Sequence, residues 1–300
     1  MVSGGTGGSR TILILGGTGR VGGATLRQLM RLPAERQPYV HLLSRQPERL
    51  PALTLPHVVH RGGIEDQAAL HGALCGVDAV LLVTGDNPWQ VEREGRVIDA
   101  ARRAGRPRIV KISAIIAGRR PRVSFGRLHG EIEDRIRRSG LRYTILRPSF
   151  FYQSLELFAQ PLRKGRLVAP AGGGRIAFID VNDVGAIAAK VLTECEHNRA
   201  TYDLTGPRAW SMSEVAEAFA CSLERHVRYV SPPLLAARLT MKLAGGMDWW
   251  LSGQVTELFA AIQAGAEGRV AADAANLLGR KPLDLQDYIA ASRQFWSTRH

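Results

Sequence analysis

Cysteine is scarce in this 300-residue chain. There are three, Cys75, Cys195 and Cys221, far apart and odd in number. No C-x-x-C pair or mixed His/Cys cluster accompanies them, which excludes a disulfide framework and a structural zinc site of the usual spacing. Free thiols packed in the core are the expected state, because an unpaired cysteine behaves as a small hydrophobe. Long apolar runs are missing too. The longest, such as residues 79–83, are strand-sized, well short of the roughly 18 residues of a membrane span. No membrane partner is therefore expected. The first residues lack the apolar stretch of a secretory leader, so the cytoplasm is the expected compartment. Lysine is rare: five residues against 35 arginines, with a net charge of +13. The arginines run along the whole chain, with one dense spot at Arg119, Arg120 and Arg122. A nucleic-acid surface needs its charge gathered on one face, so nucleic acid is not an expected partner. An acidic or phosphorylated small ligand accounts more simply for part of the charge. The Arg-for-Lys bias itself follows as readily from genome composition as from function.

What is present is ordinary for a globular chain: 45% hydrophobic and 22% charged residues. The length suggests about two domains, with ~75% of the unfolded surface buried. Residues 1–10 read as a flexible Gly/Ser-rich tail. Its Gly4-Gly5-Thr6-Gly7-Gly8 run has no strand before it and no helix after it, so it is not a phosphate loop. From residue 11 short apolar runs alternate with amphipathic stretches. Strands are expected at 11–15, 40–43, 58–59, 79–83, 108–113 and 143–146. Helices are expected at 24–31, 65–74, 91–104 and 125–139. This alternation predicts a doubly wound parallel sheet, with ligands at the carboxyl ends of its strands. A further strand is expected at 176–180, a helix at 181–193 and an edge strand at 202–204. Beyond residue 208 the chain reads as mostly helical. The expected division is a Rossmann α/β domain of residues 11–155 with 176–207, and a smaller helical substrate lobe of 156–175 with 208–300.

One loop carries chemistry. Gly16-Gly17-Thr18-Gly19-Arg20-Val21-Gly22 lies between the first strand and the first helix, the context that a dinucleotide loop requires. The first glycine permits the tight turn, the second lets backbone approach a pyrophosphate, and the third lets helix and strand pack closely. Gly16, Thr18, Gly19, Arg20, Val21 and Gly22 are thus candidate cofactor contacts, and the helix N-terminus adds free N–H groups. At the end of the second strand an NAD-type site places an acidic residue. Here Ser44 and Arg45 stand instead. An arginine can grip a 2′-phosphate bidentately, so NADP(H) is the expected cofactor, with Arg49 as an alternative claimant.

Together with later motifs, this loop resembles the atypical short-chain dehydrogenase/reductases, in particular their NmrA-like group of quinone-oxidoreductase-like and azoreductase-like proteins. The motifs are residues 109–113 (IVKIS), 129–133 (HGEIE), 139–148 (SGLRYTILRP) with Phe150-Phe151, 178–184 (FIDVNDV) and 204–207 (LTGP). The resemblance spans about residues 11–298. It implies that Thr84 and Gly85 line the ribose side of the cofactor, that Ser113 lies near the nicotinamide, and that Pro148, Phe150 and Phe151 form its other wall.

Most dehydrogenases of this wider family use Tyr and Lys at i and i+4 on one helix face, the Tyr donating a proton to a carbonyl. The equivalent pair here is Phe125 and His129, and Phe125 has no proton to give. An acceptor that tolerates a missing acid is therefore expected. A quinone fits, because its reduced oxyanion is a phenolate of pKa near ~10. His129 is a candidate substitute acid, with Glu133 one turn on to orient it. Trp249, Trp250, Met241 and Met247 could cap a flat aromatic substrate, and Arg119, Arg120 and Arg122 could hold an anionic group on it. The expected function is hydride transfer to a quinone or polycyclic aromatic, with secondary-metabolite tailoring as one setting. Two alternatives stand beside it: a non-catalytic NADP(H) sensor acting through a protein partner, and hydride-free coupling, dehydration or rearrangement of an aromatic. The assembly state is open, a homodimer being one candidate.

Overall fold

A computed structural model describes residues 10–118, 123–243 and 246–297. Six strands come first: β1 (Thr11–Leu15), β2 (Tyr39–Ser44), β3 (His57–Arg61), β4 (Ala79–Leu82), β5 (Arg108–Ile112) and β6 (Tyr143–Pro148). The short strands β7 (Arg166–Val168) and β8 (Arg175–Ile176) follow, then β9 (Ala200–Leu204), β10 (Trp210–Ser211) and β11 (Arg228–Val230). Seven of these form one parallel sheet in the order β3-β2-β1-β4-β5-β6-β9. Strands β1, β4 and β5 are buried almost throughout. Their continuous apolar runs, without alternation, are what a sheet covered on both faces requires.

The order reverses between β1 and β4, which opens a crevice at their carboxyl ends. Helices α1 (Arg20–Met30) and α6 (Val181–Thr193) cover one face. Helices α2 (Gln67–Leu74), α3 (Gln90–Arg103) and α4 (Ser124–Arg138) cover the other. The α1–α6 crossing is close because Gly185 faces Ala24, where an added Cβ would stand 2.6 Å from the Ala24 Cβ.

A second apolar core gathers Tyr152, Leu162, Phe178, Phe219, Tyr288 and Trp296 among others. It is built with α5 (Ala159–Arg163), α7 (Met212–Leu223), α8 (Leu234–Leu243), α9 (Trp249–Gln263), α11 (Leu285–Ala291) and α12 (Arg293–Ser297), whereas α10 (Asp273–Leu278) lies against the sheet layer. Ile176 and Phe178 belong to this second core, whereas Ala274 and Leu277 of α10 pack with the sheet.

Three expectations need correction. The first helix starts at Arg20 rather than residue 24, because Gly22 and Gly23 are helical despite their low propensity. Residues 176–180 do not form a strand. Ile176 pairs with Trp210, Ala177 N–H donates to the Glu267 carbonyl and Ile179 N–H to that of Phe150. Each backbone group finds a different neighbour, so no ladder develops. The cysteines are not buried: Cys75 caps α2, Cys195 follows α6, and Cys221 sits on the outer face of α7, all exposed. Arg119, Arg120 and Arg122 lie outside the described residues.

Candidate active site

The glycine loop is fixed by close contacts. Gly16 has φ +75°, and a Cβ there would stand 2.5 Å from the Val83 carbonyl oxygen. A Cβ on Gly22 would stand 2.2 Å from the Gly16 carbonyl oxygen. Gly19 N–H donates to that same carbonyl at 2.9 Å, closing the turn. Gly19 is the N-cap of α1, with no side-chain cap and no acidic residue in the first turn. The helix N-terminus is therefore open to an anion.

Around it runs a crevice of about 570 Å³. All of Gly16, Thr18, Gly19, Arg20, Val21, Gly22, Ser44, Arg45, Thr84 and Gly85 line it. Gly62, Gly63, Ile64 and Arg93 line it as well, and no motif had pointed to them. Arg20 also pairs with Glu156 at 3.0 Å across to the second core. Beside the crevice, Thr18, Ser44, Arg45, Gln46 and Arg49 enclose a basin of about 390 Å³. Arg45 is exposed there, and Arg49 donates to Gln46 at 2.8 Å. A cradle with glycine at positions 16, 17, 19 and 22, an uncapped helix N-terminus and a two-arginine basin without a carboxylate fit a phosphorylated dinucleotide.

Thr84 does not offer its hydroxyl to the crevice. Its Oγ1 donates to Glu94 Oε1 at 2.7 Å, and Lys111 Nζ and Gln90 Nε2 donate to the same oxygen at 2.8 and 3.2 Å. Glu94 is fully buried and Lys111 nearly so. This network sits beneath the crevice and holds the β4 and β5 ends together.

A cavity of about 230 Å³ opens beside the crevice, and Val21, Val83, Thr84 and Asp86 line both spaces. Ser113, Phe125, His129, Pro148, Phe150 and Phe151 line the cavity, so the sequence-derived residues of the nicotinamide side converge there. Ile116, Ser149, Ser154, Leu258 and Glu267 join them. Phe125 and His129 share one face of α4, as their spacing predicts. Trp250 meets the Phe125 ring edge-on, with centroids 6.2 Å apart. Of the four bulky residues expected as a cap, Trp250 thus contacts a residue of the cavity wall. Trp249 is 54% exposed, within 5.6 Å of the Arg238 guanidinium.

The expected His129–Glu133 pairing does not occur. Glu133 is fully buried and accepts from Ser113 Oγ at 2.6 Å, from Arg147 Nε at 2.8 Å and from Arg137 at 2.9 Å. Burial alone would raise its pKa, but Arg147, Ser113 and Arg137 together hold it below the usual carboxylate range. His129 instead places Nε2 3.9 Å from Asp86 Oδ1, and its Nδ1 has no hydrogen-bond partner. Burial, and then the Lys111 charge, push the imidazole well below its ordinary value. Both effects disfavour the protonated ring.

A seven-stranded parallel sheet with a glycine loop at its switch point defines a dinucleotide-binding α/β protein. More narrowly, the chain belongs to the NmrA-like family, whose model matches residues 8–289. An NAD(P)H azoreductase of Xenophilus azovorans is 35% identical over 251 residues, 83% of this chain and 86% of that protein. Quinone oxidoreductase 2 of Escherichia coli is 31% identical over 222 residues, covering 73% of this chain and 76% of that protein. The crystal structure of the NADPH-dependent quinone oxidoreductase of Escherichia coli with NADPH bound matches with a TM-score of 0.85. It is 26% identical, covering 95% of this chain and 99% of that one. Among the described residues no helix is long and apolar enough to cross a membrane, and no cluster of His, Cys, Asp and Glu could hold a metal ion.

Proposed function

We propose that this protein is an NADP(H)-dependent oxidoreductase that reduces a quinone or a related flat aromatic small molecule. The observation that carries the reading is the shared wall between a crevice built on the glycine loop and a cavity faced by Phe125, Phe150 and Phe151. The similarity to an azoreductase and a quinone oxidoreductase supports it.

Each part of the chain has a task. The glycine loop and the α1 N-terminus would hold the pyrophosphate. Ser44 and Arg45 would hold the 2′-phosphate, with Arg49 at the far side of the basin. NADPH, when bound, supplies the hydride. Phe150 and Phe151 offer flat apolar faces to an aromatic acceptor, and the small volume suits a compact ring system. Phe125 removes the hydroxyl on which ketone reduction depends in the wider family. A quinone accepts this, because its reduced oxygen is only as basic as a phenolate, pKa near ~10.

The Arg45→Ala change tests the cofactor preference. Calorimetric titration is expected to show NADPH binding weakened by about 1.5–3 kcal/mol, the range for hydrogen bonds to charged groups, with NADH nearly unaffected. Equal losses for both cofactors would remove the 2′-phosphate role. The function itself is tested by steady-state NADPH oxidation against benzo-, naphtho- and anthraquinones, with NADH as the control. Quinone-dependent turnover that prefers NADPH is expected. Tight NADPH binding without turnover on any acceptor would favour a non-catalytic sensor or hydride-free chemistry.

A further inference from the structure

Glu267 has no obvious place in the site as a charged group. It lies between α9 and α10, is 3% exposed, and lines the aromatic cavity. Its Oε2 accepts from Ser149 Oγ at 2.6 Å, and the Phe150 N–H also bonds the carboxyl. Both donors are neutral. No cation pairs with it among the described residues, in contrast to Glu94 and Glu133. A structural carboxylate buried so deeply is normally paired. Without a counter-charge, burial favours the neutral, protonated carboxyl. Ser149, only 4% exposed, lines the same cavity and lies directly after β6.

We propose that Glu267, acting through the Ser149 hydroxyl, delivers the proton that accompanies hydride in the reduction, a role that rests on the reductase reading above. The acceptor takes a hydride from the reduced cofactor, and the Ser149 hydroxyl, rotated from Glu267 to the acceptor, gives its proton to the reduced oxygen. The Ser149 oxygen takes the Glu267 proton, which leaves a carboxylate. Solvent returns one proton to Glu267 after product leaves. One quinone, one hydride and one proton thus give one hydroquinone.

The surroundings keep the acid poised. Burial pushes the Glu267 carboxyl up to about 7, against the opposing pull of Ser149 and the Phe150 N–H. The titratable groups sharing its cavity are His129 on α4, whose protonated form burial and Lys111 disfavour, and Asp86 after β4. Arg175 and Arg269, in the segments alongside, turn their guanidinia to Glu214 and Asp203. An acid near 7 suits proton transfer at neutral pH. The same shift costs the fold. Its folded-state pKa lies above the ordinary 4.5, so the native state binds the extra proton between the two values. Stability should be full below about 4.5 and fall as pH rises through about 7. Glu267→Gln keeps the Ser149 contact and should remove this fall.

Glu267→Gln and Ser149→Ala test the proposal. In the unmodified protein, kcat for quinone reduction should fall as pH rises through about 7. Both variants should lower kcat by about 100-fold, abolish that pH dependence and leave the NADPH Kd unchanged. Independently of activity, infrared titration of the cofactor-free protein should show a protonated carboxyl band at pH 6 that is absent from Glu267→Gln. Unchanged kcat and pH profile in both variants, or an ionised Glu267 at pH 6, would overturn this assignment alone. Absence of quinone turnover in the unmodified protein would instead overturn the reductase reading, and this role with it.

Discussion

Gly19→Val should abolish dinucleotide binding while the protein stays folded. Gly19 has φ −87° and ψ 172°, an extended conformation that any residue adopts. A Cβ there would meet one atom, the Gly16 carbonyl oxygen at 3.2 Å, so the loop needs only a small adjustment. The isopropyl group would, however, stand over the open end of α1, where backbone must approach a phosphate. Affinity for NADPH should fall by about 3 kcal/mol or more, over 100-fold, measured by fluorescence titration. The melting temperature should stay within a few degrees of the unmodified protein. Retained affinity would place the cofactor elsewhere. The same substitution at Gly22 could not make this distinction, because a Cβ 2.2 Å from a carbonyl oxygen must distort the fold.

Lys111→Met should destabilise the fold strongly. Lys111 and Glu94 form an ion pair at 2.8 Å with side chains 1% and 0% exposed. Glu94 Oε1 also holds Thr84 and Gln90. Replacing the lysine by an apolar side chain of similar length preserves packing but leaves a buried carboxylate short of its counter-charge. Breaking a buried pair in this way costs about 3–5 kcal/mol, readable by urea unfolding. Adding Glu94→Gln removes the stranded charge and should restore most of the loss. A single-variant loss under about 1 kcal/mol would mean that the pair is solvated or easily replaced. Thr84 lines the crevice, so NADPH affinity should fall with this variant and recover with the double change.

Most of the sheet is legible in the sequence, because buried parallel strands are short apolar runs between turns. The run at residues 11–15 ends directly at the glycines, and the helix at 181–193 falls between a capping Asp180 and a break at Glu194. The crevice is legible for the same reason: its residues cluster just after strand ends, where the fold places ligands. The short strands β7, β8, β10 and β11 are not, since two or three residues carry no period. They form only where the second core brings distant segments together. The back of the cavity is hidden by the same distance. Leu258 and Glu267 meet Phe150 and Ser149 across more than a hundred residues, and Glu267 belongs to no motif. Its chemistry shows only in what surrounds it, a serine hydroxyl, an amide and apolar walls. His129 illustrates the converse. Its spacing from Phe125 is legible, but the burial and the nearby lysine that disfavour its protonated form are tertiary facts. The exposed cysteines likewise follow from element ends and an outer helix face rather than from residue type.

The most direct measurement is an anaerobic single turnover with the protein saturated with NADPH and mixed with one equivalent of a naphthoquinone. The account predicts that the reduced-nicotinamide absorbance is lost in step with hydroquinone formation, one for one. Persistence of bound NADPH beside unreduced quinone would contradict it.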